Sequence, residues 1–157
     1  MTIEVGKPAP DFVLNDQHDK PRSLKEFRGK DVIIYFYPKD NTLGCTRQAC
    51  SFRNIWEEII ATGAVVIGVS PDNPKSHTQF IDKHELPFDL LCDPDMSMMS
   101  KYGAYGEKML YGVKRLGVIR STVWIGPDGN VVKHWKKVKV NVKSDHPEHV
   151  LKALAGK

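Results

Sequence analysis

Val32-Ile33-Ile34-Tyr35-Phe36-Tyr37-Pro38-Lys39-Asp40-Asn41-Thr42-Leu43-Gly44-Cys45-Thr46-Arg47-Gln48-Ala49-Cys50 is an apolar run that ends at a proline and passes through a short loop into helical sequence. The first six residues are β-branched or aromatic and apolar on both faces. That pattern predicts a central strand covered on both sides. A helix is predicted from Gly44 to Ala61, because Ala49, Phe52, Ile55, Trp56, Ile59 and Ile60 recur at three- and four-residue steps. Gly63 sits where its C-terminal cap belongs. The loop thus delivers Cys45 to a helix N-terminus, which carries partial positive charge and unpaired N–H groups. A cysteine placed there is the usual arrangement for a reactive thiolate, so Cys45 is the candidate nucleophile.

On the N-terminal side, Phe12-Val13-Leu14 reads as a short strand and Asn15 to Pro21 as a turn cluster. Ser23-Leu24-Lys25-Glu26 fits a capping box for a short helix reaching Phe27 and ending near Gly29. On the C-terminal side, Ala64 to Val69 is a second buried strand. Asn73 and Pro74 cap and open a helix reaching about His84. Phe88 to Cys92 is a short strand. Asp93-Pro94 starts another short helix, through Met96 and Met99, that stops near Gly103. Glu107 to Gly117, with two glycines and mixed charge, reads as a loop or insertion. Thr122 to Ile125 and Val131 to Trp135 flank Gly126-Pro127-Asp128-Gly129-Asn130, a strong hairpin signal. A last helix runs from about Asp145 to Ala155, burying Val150, Leu151 and Leu154. Strands alternating with helices predict one α/β domain over residues 1–157, with a mixed central β-sheet and helices on both faces.

The 157-residue chain is 41% hydrophobic and 27% charged with a net charge of +4, ordinary values for a globular protein. No stretch approaches the ~20 apolar residues of a membrane span, so no membrane partner is expected. Met1 to Val5 lead directly into Gly6, Lys7 and Pro8 with no apolar targeting core, and a cytoplasmic location is expected. Lys133, His134, Lys136, Lys137, Lys139 and Lys143 read as a solvated, edge-protecting strand rather than a nucleic-acid patch. No phosphate loop or dinucleotide fingerprint occurs, so no cofactor is expected. The six histidines make no zinc-ligand spacing with the cysteines, so no metal is expected either.

Three cysteines are too few for a disulfide scaffold, and a close pair reads as redox-active. A thiolate attacks the O–O bond of a peroxide to give a sulfenic acid, which condenses with a second thiol. Cys50 is the nearest second thiol, although a small buried core residue is an equal reading of it. Cys92 reads as a core cysteine, with a resolving role as its alternative. Five residues of α-helix advance about 7.5 Å, whereas a disulfide seldom tolerates Cα atoms more than about 7 Å apart. If both Cys45 and Cys50 are helical when reduced, the first turns must unwind before they bond.

At this stretch the chain resembles the peroxiredoxins. Pro38, Thr42 and Cys45 match the family's Pro-x-x-x-Thr-x-x-Cys motif. With Tyr37, Thr46 and Cys50 the chain is similar to the bacterioferritin comigratory protein group, also called peroxiredoxin Q. Gly6 to Phe12, Gly68 to Asp72 and Arg120 to Ile125 extend the resemblance over nearly the whole chain. It implies a thioredoxin-like fold and the reduction of hydrogen peroxide and organic hydroperoxides, in antioxidant defence and cell redox homeostasis. It also implies Cys45 as the peroxidatic and Cys50 as the resolving cysteine, an intramolecular Cys45–Cys50 disulfide, and thioredoxin as the reductant. Thr42 would hydrogen-bond the thiolate and peroxide, Pro38 would shield the sulfur from water, and Arg120 would stabilise the thiolate and polarise the peroxide. Arg47 is the other cation that could serve. A monomer is expected. Many members have proline where this chain has Leu43, which loosens the loop here. Some relatives carry the resolving cysteine near the position of His84, and this chain does not.

Overall fold

The computed structural model describes residues 3–110, 112–139 and 146–156. Its main sheet is built on β3 (Asp31–Phe36), all six residues of which are buried. This strand pairs in parallel with β4 (Ala64–Ser70) and antiparallel with β8 (Ser121–Ile125). The remaining strands are β1 (Val13–Asn15), β2 (Pro21–Ser23), β5 (Asp89–Cys92) and β9 (Val131–Trp135), in the order β2-β1-β5-β4-β3-β8-β9. The sheet is therefore mixed, with a parallel centre and antiparallel flanks.

Side chains of β3 alternate between the two faces, as the pleat requires. Val32, Ile34 and Phe36 pack with Phe12, Phe27, Met98, Met99 and Tyr102 on one side. Ile33, Tyr35 and Tyr37 pack on the other with Cys45, Ala49, Phe52, Phe80 and Val150. The second layer comes from the helices α1 (Leu43–Asn54), α3 (Pro74–His84) and α5 (His146–Ala155). The short helix α4 (Ser97–Lys101) supplies Met98 and Met99 to the first. Helices lie on both faces, as the alternation of elements predicts.

Several expectations need correction. The helix predicted over residues 44–61 is two helices: α1 ends at Asn54, Ile55 leaves helical geometry (φ −112°, ψ 18°), and α2 covers Trp56–Ala61. Apolar spacing continues through the break because it reports which side is buried, not whether the hydrogen-bond ladder is unbroken. The segment read as a loop over residues 107–117 is a β-hairpin, β6 (Tyr105–Leu110) with β7 (Val113–Val118), forming its own two-stranded sheet. Its Val113, Lys114, Arg115 and Leu116 are all exposed, so no buried face imposed a two-residue period. The turn cluster ends in β2, an edge strand that tolerates Pro21. The short helix expected after Ser23 does form over Leu24–Phe27, as a 3-10 helix with the Ser23 amide donating to Glu26 Oε1 at 3.0 Å. The short helix after Asp93 begins only at Ser97.

The cap at Asn73 forms as read, its Oδ1 accepting from the Ser76 amide at 2.8 Å. Gly63 takes φ +87° after α2, the left-handed cap that favours glycine. In α5, Val150 and Leu154 are buried and Leu151 is half-buried. Asp145 and Lys143 lie outside the described residues. β9 is an edge strand, and Lys133, Lys136, Lys137 and Lys139 on and after it are exposed.

Candidate active site

Cys45 stands in the first turn of α1 with zero exposure. Pro38 ends the run of β3, Asp40 and Asn41 turn the chain, and Thr42 takes extended geometry (φ −83°, ψ 156°) at the N-cap position. The Thr46 amide closes the first turn on the Thr42 carbonyl at 2.8 Å. Two elements of the fold meet at the sulfur. α1 brings Cys45 down onto Tyr35 and Tyr37, and the residue before β8 brings in Arg120.

Arg120 is the cation at the sulfur. Its Nη2 donates to Cys45 Sγ at 3.3 Å, and its Nη1 donates to Gln48 Oε1 at 2.8 Å. Arg47, the alternative cation, is exposed on α1. Gln48 escaped the sequence analysis. It lies three residues after Cys45, so the helix puts both on one face. Its side chain is buried, and among the described residues Nε2 has no hydrogen-bond partner. Thr42 stands at the N-cap position without a side-chain cap to α1. Its hydroxyl donates to the Lys39 carbonyl at 3.0 Å, which leaves the oxygen lone pairs, not the proton, free to face a substrate.

A pocket of about 480 Å³ opens onto this point, with Pro38 and Arg120 in its wall. The β6–β7 hairpin supplies Met109, Lys114 and Val118, and the chain after β9 supplies Lys137. The segment expected to be a loop or insertion thus forms one side of this pocket.

Cys50 is half-buried in the same helix as Cys45. Both are helical, so the rise between them, about 7.5 Å, keeps the thiols apart in this state. Cys92 is buried on β5, two strands from β3 in the sheet, with its thiol facing the Asp16 carbonyl.

Beneath the loop lies a second polar cluster that the sequence did not announce: Asp40, Asp72 and His77, whose ligand-capable atoms lie within 4.8 Å of one another. His77 Nδ1 bonds Asp40 Oδ2 at 2.7 Å and Nε2 bonds the Leu91 carbonyl at 2.9 Å. Both partners only accept, so both nitrogens carry protons and neither has a lone pair for a cation. In this arrangement His77 and Asp40 form an ion pair.

Residues 5–134 match the model of the AhpC/TSA family. The chain belongs to the AhpC/TSA family of peroxiredoxins. This peroxiredoxin is 42% identical over 154 residues to peroxiredoxin Bcp of Bacillus subtilis, covering 98% of this chain and 96% of that one. The solved bacterioferritin comigratory protein of Xanthomonas campestris, described for its alkyl peroxide reduction activity, matches with a TM-score of 0.88 and 35% identity over 98% of each chain. A cysteine-to-serine mutant of Xylella fastidiosa PrxQ matches with a TM-score of 0.90 and 31% identity, over 99% of this chain and 98% of that one. The fold is thioredoxin-like, as the resemblance implied. Membership brings thiol peroxidase chemistry, an oxidoreductase and antioxidant activity.

Proposed function

We propose that this peroxiredoxin reduces hydrogen peroxide and organic hydroperoxides through Cys45 and Cys50 and is recycled by thioredoxin. The observation that carries the reading is the 3.3 Å contact of Arg120 with a buried sulfur at a helix start, beside an open pocket. In the first step the Cys45 thiolate attacks the distal peroxide oxygen. The O–O bond breaks, Cys45 becomes a sulfenic acid, and the alkoxide leaves and takes a proton to give the alcohol. Arg120 faces the charge that develops on the departing oxygen, and the Thr42 oxygen accepts from the peroxide hydroxyl. In the second step the Cys50 thiol attacks the sulfenic sulfur, a disulfide forms and water leaves. A thioredoxin dithiol then exchanges with that disulfide, restoring both thiols and becoming a disulfide itself.

Cys50 is favoured over Cys92 because it lies five residues from Cys45 on the same helix, whereas Cys92 is buried on β5. In this reading the working form is a cytoplasmic monomer. The test is peroxide turnover with a thioredoxin system for wild type, Cys45→Ser, Cys50→Ser and Cys92→Ser. Loss in the first two variants alone is expected. Loss in Cys92→Ser with Cys50→Ser active would reassign the resolving thiol, and activity of Cys45→Ser would end the proposal.

A further inference from the structure

Asp40 lies between Pro38 and Thr42, in the loop that presents Cys45, yet it is 5% exposed. Its carboxylate is fully engaged. The Tyr37 hydroxyl donates to Oδ1 at 2.6 Å. The Ser76 hydroxyl and His77 Nδ1 donate to Oδ2 at 2.8 and 2.7 Å. Its own amide donates to Asp72 Oδ2 at 2.8 Å, and the same oxygen accepts from the Ser70 hydroxyl at 2.7 Å. His77 has zero exposure and is tied in turn to the Leu91 carbonyl. The loop is therefore pinned to the ends of β4 and β5 and to the first turn of α3.

A buried ion pair is weak grounds for added stability, because desolvation offsets most of the attraction. Removing one partner is costly, because the other charge is then stranded. Such a pair fixes one arrangement of the elements it joins. Here the joined element is the segment that must hold still while Cys45 meets peroxide and must let go when Cys45 meets Cys50.

We propose that the His77–Asp40 pair is a latch on the Pro38–Thr42 loop, and that His77 is a positioning residue setting how often the start of α1 unwinds. The inference rests on the reading of Cys45 and Cys50 given above. With the latch closed, the Thr42 carbonyl stays in place for the first helical hydrogen bond, and Cys45 stays under Arg120. With it open, the loop loses its buried anchor, and the first turn loses the residue that starts it. The peroxide step uses the closed state and the disulfide step the open one, so weakening the latch moves the two rates in opposite directions. A side chain that merely maintained the fold would slow both.

The test follows one turnover by rapid quench and mass spectrometry, scoring Cys45 thiol, trapped sulfenic acid and Cys45–Cys50 disulfide against time. His77→Gln keeps an amide where Nε2 faces Leu91 and offers no donor to Asp40. His77→Asn places an N–H where Nδ1 stood. Ser76→Ala, at a half-buried site, removes one donor to Asp40 and leaves the pair in place. In His77→Gln, disulfide formation is expected to accelerate about tenfold and the peroxide step to slow severalfold, the scale of one hydrogen bond to a charge. His77→Asn should recover part of both rates, because the N–H returns to Asp40 without the charge. Ser76→Ala should shift both rates in the same senses by about twofold, and it carries the test if His77→Gln does not fold. Unchanged rates in His77→Gln or Ser76→Ala, or slowing of both steps without recovery in His77→Asn, would overturn the latch. Absence of Cys45 sulfenic acid in the wild type would overturn the peroxidase reading, and the latch with it.

Discussion

Arg120 Nη2 lies 3.3 Å from Cys45 Sγ, across 75 residues of sequence. The contact exists because β8 is the antiparallel neighbour of β3, while α1 follows β3 directly. The strand pair therefore brings the residue before β8 to the same end of the sheet as the start of α1. Replacing Arg120 with alanine should lower the second-order rate with peroxide by about 100-fold, the scale of losing one preorganised donor to a developing oxyanion. Arg120→Lys should recover little of it, since one ammonium cannot span Gln48 and the sulfur as the guanidinium fork does. Stopped-flow measurement checks both, and an Arg120→Ala rate within threefold of wild type would remove Arg120 from the reaction.

Gln48 holds the other arm of Arg120. Gln48→Leu should cost about tenfold in kcat/KM, because the arginine loses a hydrogen-bonded anchor. Gln48→Glu should cost more than its small change in shape implies, because a carboxylate there competes with the thiolate for the same cation. Equal activity of all three proteins would show that Arg120 needs no anchor.

Leu43 occupies the first helical position of α1 and is 76% exposed. Proline suits that position, and Thr42 before it already has the extended geometry a following proline demands. Leu43→Pro should therefore stabilise the chain by about 0.4–1 kcal/mol and slow Cys45–Cys50 disulfide formation by a few-fold. A raised melting temperature with unchanged disulfide kinetics would mean that unwinding does not begin at this turn.

Oxidation to the Cys45–Cys50 disulfide should cost helix over α1 while α2 stays folded, because Ile55 already separates the two. Amide exchange over residues 43–54 should rise and that over 56–61 should hold. An unchanged α1 in the oxidised protein would contradict the spacing argument.

Two buried histidines should shape stability against pH in opposite senses. Burial, with a smaller push from His149, lowers His146 to about 4. The unfolded chain takes that proton near 6.5, so its contribution is complete above 6.5 and shrinks as pH falls towards 4, by on the order of 3 kcal/mol. Burial also works against a charge on His77, but hydrogen bonds to Asp40 and Cys92, the Asp40 charge and the Leu91 carbonyl outweigh it. His77 is pushed up to about 10. Its contribution is complete below 6.5 and is lost as pH rises through about 10. The titratable groups around it are Asp40, Asp72, Tyr37 and Cys92. Urea midpoints should therefore peak near pH 6.5, and His146→Gln should flatten the acid side. A His146→Gln curve parallel to wild type from pH 6.5 to 4.5 would show that His146 is not the group responsible.

Much of what depends on neighbours in the chain was legible beforehand. The apolar run of β3, the Asn73–Pro74 helix start and the turn between β8 and β9 are set by side-chain period and local backbone preference. Cys45 at a helix start follows from the same rules, and so does the mixed α/β sheet. The β6–β7 hairpin was not legible, because the exposed run Val113, Lys114, Arg115 and Leu116 on β7 carries no two-residue alternation. Nor was the break at Ile55, where the apolar spacing runs on across a lost hydrogen bond.

By itself, the sequence determined the order of elements and the residue types that reach the site. Only the tertiary structure decided which of them meet. Arg120, and not Arg47, reaches the sulfur because strand pairing, not chain proximity, sets that distance. Asp40 finds His77 because α3 packs its buried side chains against the same sheet face as Tyr37. Once removed from water, each of these polar groups needs a partner, and packing determines which partner is within reach.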